Sequence, residues 1–263
     1  MGSREGDREQ AFRKRTDGER QTGTMDDRAQ LKVETTRLHE RVYESLRRAL
    51  LQGAFAPGRV LTIRELAKDI GTSMQPVRDA LARLTSEGAL EQLQNRSIRV
   101  PPLTRRSFEE LYELRKLLEG EAAAKAAKKL TPDDIEQLQL VFDEMDLAID
   151  GLDNEGYLTA NQKFHFCIYK AADSPGLMQF IESLWLRAGP LMRLIPEKFP
   201  MIEKRSKEAQ RHHELLFQAL KNGNAEMARL ALHGDLDSAA DAFRKNYSFS
   251  NQSLKNDQEV VAS

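Results

Sequence analysis

One cysteine, Cys167, stands alone in the 263 residues. A second thiol is missing, so an intrachain disulfide is excluded and a reducing cytoplasm is the expected compartment. Long apolar runs are missing too. The longest are short and broken by charge, which excludes a transmembrane helix, and the N-terminus lacks the apolar core of a secretory signal. Net charge is nearly absent: 40 Lys and Arg stand against 41 Asp and Glu. That balance excludes a uniformly basic nucleic-acid binder but leaves room for a locally basic domain. The apolar share, 40%, suffices for packed cores but is low for a single globule, and the length allows about two domains.

Charge is unevenly spread. Residues 1–36 hold eight bases and eight acids with no apolar stripe, so they read as a disordered tail. The stretch 248–263 is polar and reads as a flexible C-terminus. Between them, 37–102 forms a small basic unit: residues 37–100 carry eleven Lys and Arg against seven acids. Residues 103–247 form a larger unit, in which acids outnumber bases. Pro101-Pro102 marks the junction. The asymmetry points to a nucleic-acid-facing module tied to a second module with another task.

The basic unit reads as three helices and a hairpin. Leu38, Val42, Leu46, Leu50 and Leu51 recur at helical spacing. Thr62 with Glu65 predicts a capping box for a second helix through Ile70, and Gly71 its left-handed stop. Ser73 caps a third helix, with Pro76 in its first turn and Val77, Leu81 and Leu84 on its apolar face. Strands Ala89–Leu93 and Ile98–Val100 flank a polar turn. Two helices joined by a short glycine turn and followed by a hairpin make a winged helix-turn-helix, whose third helix enters the major groove. Arg64, Ser73, Gln75, Arg78 and Arg96 are then available to DNA. Gln75 suits adenine, Arg78 suits guanine, and Ser73 at a helix N-terminus suits a phosphate.

The acidic unit reads as helical almost throughout: Ser107–Lys129, Thr131–Asp150, Tyr157–Ala172, Pro175–Gly189, Met201–Asn222 and Ala225–Tyr247. No segment alternates with period two. The fold class is therefore mainly α, a winged head followed by an all-helical bundle.

The run from Ala56 through Ala67, the run from Gly71 through Leu84, and Glu87-Gly88 resemble the winged helix of the GntR family. The resemblance implies a DNA-binding regulator, commonly a repressor, working as a homodimer on a palindromic double-stranded operator, with no membrane role. Carried over residue by residue, it assigns DNA contacts to Arg64, Ser73, Gln75, Pro76 and Arg78. Two places depart from the family. Met74 stands where many members have arginine, and the wing tip is Gln94-Asn95-Arg96 where many are glycine-rich.

Tyr112 through Glu119, Phe164-His165, and His213 through Ala219 resemble the FCD effector domain of the FadR subfamily. That resemblance implies a bundle that binds a small organic acid, often through a divalent metal, and so biases the placement of the heads. Asn161 and His165 are four residues apart and share a helix face. Matched to the family pattern, the ligand set is Asn161, His165, His213 and Asp235, suited to Zn, Ni, Mn or Fe. Without a metal, the same groups would hydrogen-bond to each other or to a ligand. Arg115 is the expected carboxylate clamp, its alternative being a surface salt bridge; Arg193 and Lys198 are weaker clamps. His233 points away from Asp235 and reads as a surface or packing histidine. Trp185, Phe164, Phe166 and Phe217 read as core, Cys167 as a small buried group, and Met178, Met192 and Met201 as gap fillers. Two rivals stand beside this reading. One is a regulator whose pocket is vestigial or takes an acyl ligand without metal. The other is a metal-dependent hydrolase, disfavoured because no general base or nucleophile motif accompanies the cluster.

Overall fold

The computed structural model describes residues 25–192, 194 and 202–249. Arg193, Lys198 and Met201 lie outside the described residues, as do 1–24 and 250–263.

The basic unit is built from α1 (Met25–Leu51), β1 (Val60–Leu61), α2 (Ile63–Ile70), α3 (Met74–Ser86), β2 (Glu91–Gln92) and β3 (Ile98–Arg99). Three features differ from expectation. First, α1 reaches back to Met25, so 25–36 is helical backbone rather than tail. Once the stripe from Val42 to Leu50 nucleates the helix against the core, extending it through polar residues costs little. Second, the hairpin gains a third strand. The sheet order is β1-β3-β2, antiparallel, with Val60 opposite Arg99 and Leu61 opposite Ile98. Two residues inside an Ala-Pro-Gly turn region offer no alternation to read. Third, Thr62 is the N-cap of α2 in extended backbone, but its side chain makes no cap bond, so the expected box with Glu65 does not form. The first turn there is largely exposed, where water can serve the orphan N–H groups. Gly71 does close α2 in the left-handed region, at φ 75°.

The head core gathers Val42, Leu46 and Leu50 of α1, Leu66 of α2, and Val77, Leu81 and Leu84 of α3. Leu38, placed on the same stripe, is exposed instead. The ring of Tyr43 is buried beneath Arg83, and its hydroxyl donates to both Glu87 oxygens at 2.9 Å. Burial, reinforced by Glu87, pushes that phenol up to about 12.

The bundle comprises α4 (Arg105–Ala126), α5 (Pro132–Asp150), α6 (Asn154–Ala171), α7 (Pro175–Met192), α8 (Ile202–Lys221) and α9 (Ala225–Asn246). Real capping boxes open α4, from Thr104 and Ser107, and α5, from Thr131 and Asp134. One core lies among Leu138, Phe142, Phe164, Ile168, Leu216 and Leu232. A second joins Phe108 and Tyr112 to Leu236 and Phe243. Two glycines set the spacing of α9 with its neighbours. A Cβ on Gly120 would meet His233 Nε2 at 2.5 Å, and one on Gly234 would meet His212 Nδ1 at 2.8 Å. Cys167 is half-buried rather than buried. Among the described residues no helix is long and apolar enough to cross a membrane.

The head rests on α7. Leu186 of that helix is part of the head core. Arg47 of α1 pairs with Glu182 at 3.2 Å, and Ser183 Oγ donates to the carbonyl of Glu87, the C-cap of α3, at 2.6 Å. Gly189 is in backbone contact with α1: a Cβ there would lie 2.2 Å from the Leu50 carbonyl oxygen. The helix continues past Gly189, where it was expected to stop, through Pro190 to Met192.

Candidate functional site

The first surface is the exposed face of α2, α3 and the wing. Arg64, Ser73, Met74, Gln75, Arg78, Gln94, Asn95 and Arg96 are all exposed. Ser73 caps α3 from extended backbone without bonding it through its side chain, so the hydroxyl is not committed to the first turn. On the outer face of α3, Gln75 Nε2 donates to Asp79 at 2.8 Å, and Arg78 donates to Gln75 Oε1 at 3.1 Å. His39 lies 3.1 Å from Asp79. Pro76 departs from the set: it is buried beside Val77. Its ring shapes the start of α3 and is not part of the exposed face, because the first-turn position that suits a proline here points inward.

The wing tip is a tight turn. Leu93 N donates to Ser97 O at 2.8 Å, Arg96 N donates to Leu93 O at 2.9 Å, and Ser97 N donates to Asn95 Oδ1 at 3.0 Å. Arg96 itself takes φ 64°. A side chain in that region costs about 1 kcal/mol that glycine avoids. Arg96→Gly is therefore expected to raise stability by about 1 kcal/mol in urea unfolding while lowering affinity for DNA, since it removes a cation from the wing. Lower stability, or unchanged DNA affinity, contradicts this reading of the tip.

The second site lies inside the bundle. His165 on α6, His213 on α8 and Asp235 on α9 are all buried, and one ligand atom from each lies within 4.8 Å of the others. His165 Nε2 is 3.4 Å from Asp235 Oδ2, and His213 Nε2 is 3.3 Å from Asp235 Oδ1. Short as the second distance is, its angles do not make a hydrogen bond, and His213 Nε2 is a buried atom without a partner among the described residues. Burial pulls the His213 imidazole down to about 4, against the attraction of Asp235, so the ring is neutral near pH 7. Two imidazoles and a carboxylate converging on one point, with one nitrogen unsatisfied among the described residues, are a donor set that fits a divalent cation. Asn161, one turn before His165 on α6, is half-buried.

Around this centre stand residues that sequence reasoning left out of the site. Glu119 is fully buried on α4, and Arg115 donates to it through Nε at 2.6 Å and through a terminal nitrogen at 3.3 Å. Tyr169 donates its hydroxyl to Glu119 and lies 3.1 Å from His165 Nδ1. Trp185 packs its ring 5.6 Å from that of His165, beneath the Arg115 guanidinium, and its Nε1–H is buried without a partner among the described residues. The spacing held a clue: Arg115 and Glu119, like His165 and Tyr169, are four apart on one helix face. Arg115 is thus not a surface salt bridge, nor is it a free clamp. Burial opposes its charge, and Glu119 more than restores it. His233 is the packing histidine expected, donating to the Lys116 carbonyl at 3.0 Å.

Comparison with known proteins agrees with both halves. Residues 38–100 match the model of bacterial regulatory proteins of the gntR family, and residues 110–238 match the FCD domain. The HTH-type transcriptional regulator McbR of Escherichia coli (strain K12) is 34% identical over 201 residues, covering 76% of this chain and 90% of that protein. The gluconate operon transcriptional repressor of Bacillus subtilis (strain 168) is 26% identical over 210 residues, covering 76% and 83%. Among solved structures, E. coli McbR/YncC superposes with a TM-score of 0.73 at 30% identity, over 80% of this chain and 99% of that one. These relatives are transcriptional regulators, so the hydrolase alternative falls. The chain belongs to the GntR family: it is a DNA-binding transcriptional regulator with a winged helix-turn-helix head and an FCD domain.

Proposed function

We propose that this regulator is a homodimeric repressor that acts in the bacterial cytoplasm and senses a small organic acid inside its helical domain, with a divalent metal at His165, His213 and Asp235. The observation that carries the proposal is the buried Nε2 of His213, unpartnered among the described residues, facing a buried carboxylate and a second imidazole. A nitrogen left so costs about 1–3 kcal/mol unless something fills the gap. Asn161 is the fourth member of the set, by its place on α6. A cation there, Zn, Ni, Mn or Fe, would supply positive charge on which carboxylate and hydroxyl oxygens can chelate. The chain's own residues do the rest. Trp185 offers a buried N–H toward a ligand, and the Arg115–Glu119 pair walls the centre without adding net charge.

In the head, Arg64, Ser73, Met74, Gln75 and Arg78 would meet the major groove, and Gln94, Asn95 and Arg96 the flanking backbone. Two heads related by a two-fold would read a palindromic operator. That the gluconate operon relative is named a repressor supports the sign of regulation.

Elemental analysis of the purified chain tests the metal, with the His165→Ala, His213→Ala double variant beside it. About one metal per chain, lost in the double variant, is the outcome expected for one three-ligand site. No metal in the wild type overturns the metal reading and leaves the DNA-binding head untouched. For the head, Arg78→Ala is expected to cost about 1–3 kcal/mol of binding to a selected operator fragment at fixed salt. Equal weakening on random DNA would show that Arg78 meets phosphate rather than a base.

A further inference from the structure

We infer that Tyr169 and Glu119 are positioning residues for His165, fixing its proton on Nδ1 and turning Nε2 toward the buried centre. The inference rests on the metal-dependent reading above, because only a cation between Nε2 and Asp235 leaves Nε2 free of hydrogen.

Glu119 is fully buried and held by Arg115 from two nitrogens, so it is a carboxylate and only accepts. Tyr169 has a single hydroxyl proton, and it goes to Glu119. The hydroxyl oxygen can then only accept from His165 Nδ1, 3.1 Å away. Nδ1 therefore carries hydrogen. The other neutral tautomer would set two lone pairs against each other at a buried position. The chain of donation has one direction: His165 to Tyr169, then Tyr169 to Glu119, with Arg115 closing it from the far side.

Nε2 faces Asp235 Oδ2 at 3.4 Å; with Nδ1 carrying the hydrogen, both of these atoms are acceptors, and the cation proposed above is what would satisfy them together. His213 repeats the pattern more loosely, with Nδ1 3.5 Å from the Gln210 side-chain oxygen and Nε2 toward Asp235. Histidines that hold metals commonly donate the far N–H to a carboxylate, which orients the ring. Here a tyrosine stands between ring and carboxylate. Its ring is also packed, 5.9 Å from Phe166 and 6.5 Å from Trp185, so the hydroxyl is held from behind.

The test uses the full-length protein and Zn2+ alone, titrated in competition with a chromogenic chelator. Tyr169→Phe keeps the packed ring and removes the relay, and Glu119→Gln keeps the shape and removes the charge. Both are expected to bind Zn2+ about 10- to 100-fold more weakly than wild type. A merely structural role would not move the second readout, the imidazole nitrogen chemical shifts of His165 in the Zn2+-loaded protein. Wild type is expected to report hydrogen on Nδ1, and Tyr169→Phe a mixture of tautomers. Hydrogen on Nε2 in the wild type overturns the inference, as does an unchanged Zn2+ affinity in a folded Tyr169→Phe. Should wild type bind no Zn2+, the metal reading falls and this inference with it, whereas a Zn2+-loaded wild-type spectrum with hydrogen on Nε2 overturns the inference alone. The same spectrum decides it if the variants do not fold.

Discussion

Arg115→Ala is expected to lower the unfolding free energy by about 3–5 kcal/mol, measured by urea denaturation. The reason is the partner left behind. Glu119 is fully buried and takes two bonds from Arg115. Removing the guanidinium strands a buried carboxylate that keeps the Tyr169 hydroxyl but loses its counter-charge. The pair itself is worth far less than this figure, because burying both charges already cost nearly what their attraction returns. The double variant Arg115→Met, Glu119→Leu should therefore recover most of the loss, leaving mainly the severed Tyr169 bond. If Arg115→Ala costs under about 1 kcal/mol, the magnitude of an exposed pair, then water reaches this site and the hydrogen count around Tyr169 must be redone.

The second large effect concerns Gly189. Two terms oppose each other in Gly189→Ala. Alanine in a helix is worth up to about 1 kcal/mol over glycine. Against it, the new Cβ would stand 2.2 Å from the Leu50 carbonyl oxygen and 2.8 Å from Leu51 Cα, both backbone atoms. Backbone cannot swing aside as a side-chain tip can, so strain of about 3 kcal/mol, the upper end for overpacking, wins. The expected result is a net loss of about 2 kcal/mol, with the head melting apart from the bundle in calorimetry. Gly176→Ala is the control: it sits on the same helix, and a Cβ there meets nothing within 4 Å. It should be neutral or mildly stabilising. A stabilised Gly189→Ala would mean that α1 and α7 are not in backbone contact in solution.

Most of the helical architecture was legible because each helix is punctuated. Thr131-Pro132 opens α5, Gly71 closes α2, and Gly223 with Asn224 separates α8 from α9. Such signals act within a turn of chain and need no tertiary context. What stayed hidden was set by packing at long range. β1 is two residues that become a strand only because β3 passes beside them. Pro76 looks like a surface residue until Val77 and Leu81 turn it inward. At the buried centre, the resemblance carried His165, His213 and Asp235, and helix geometry correctly set His233 aside. Glu119 and Tyr169 were missed because each alone looks ordinary, an acid on a charged helix and a tyrosine in an apolar one. Only the approach of α4 to α6 reveals that Arg115, Glu119, Tyr169 and His165 form one chain of bonds.

One helix, α7, faces both halves of the molecule. Glu182, Ser183, Leu186 and Gly189 engage the head, while Trp185 lies against His165 and Arg115. Any ligand that shifts Trp185 must therefore shift the floor on which α1 and α3 stand. If the effector proposed above weakens operator binding, linkage makes that traffic reciprocal: the operator weakens effector binding by the same factor. Molecules already seated on DNA would then need more effector to respond than those free in solution. The threshold of the response would be set by the occupancy of the operator as well as by the chemistry of the pocket.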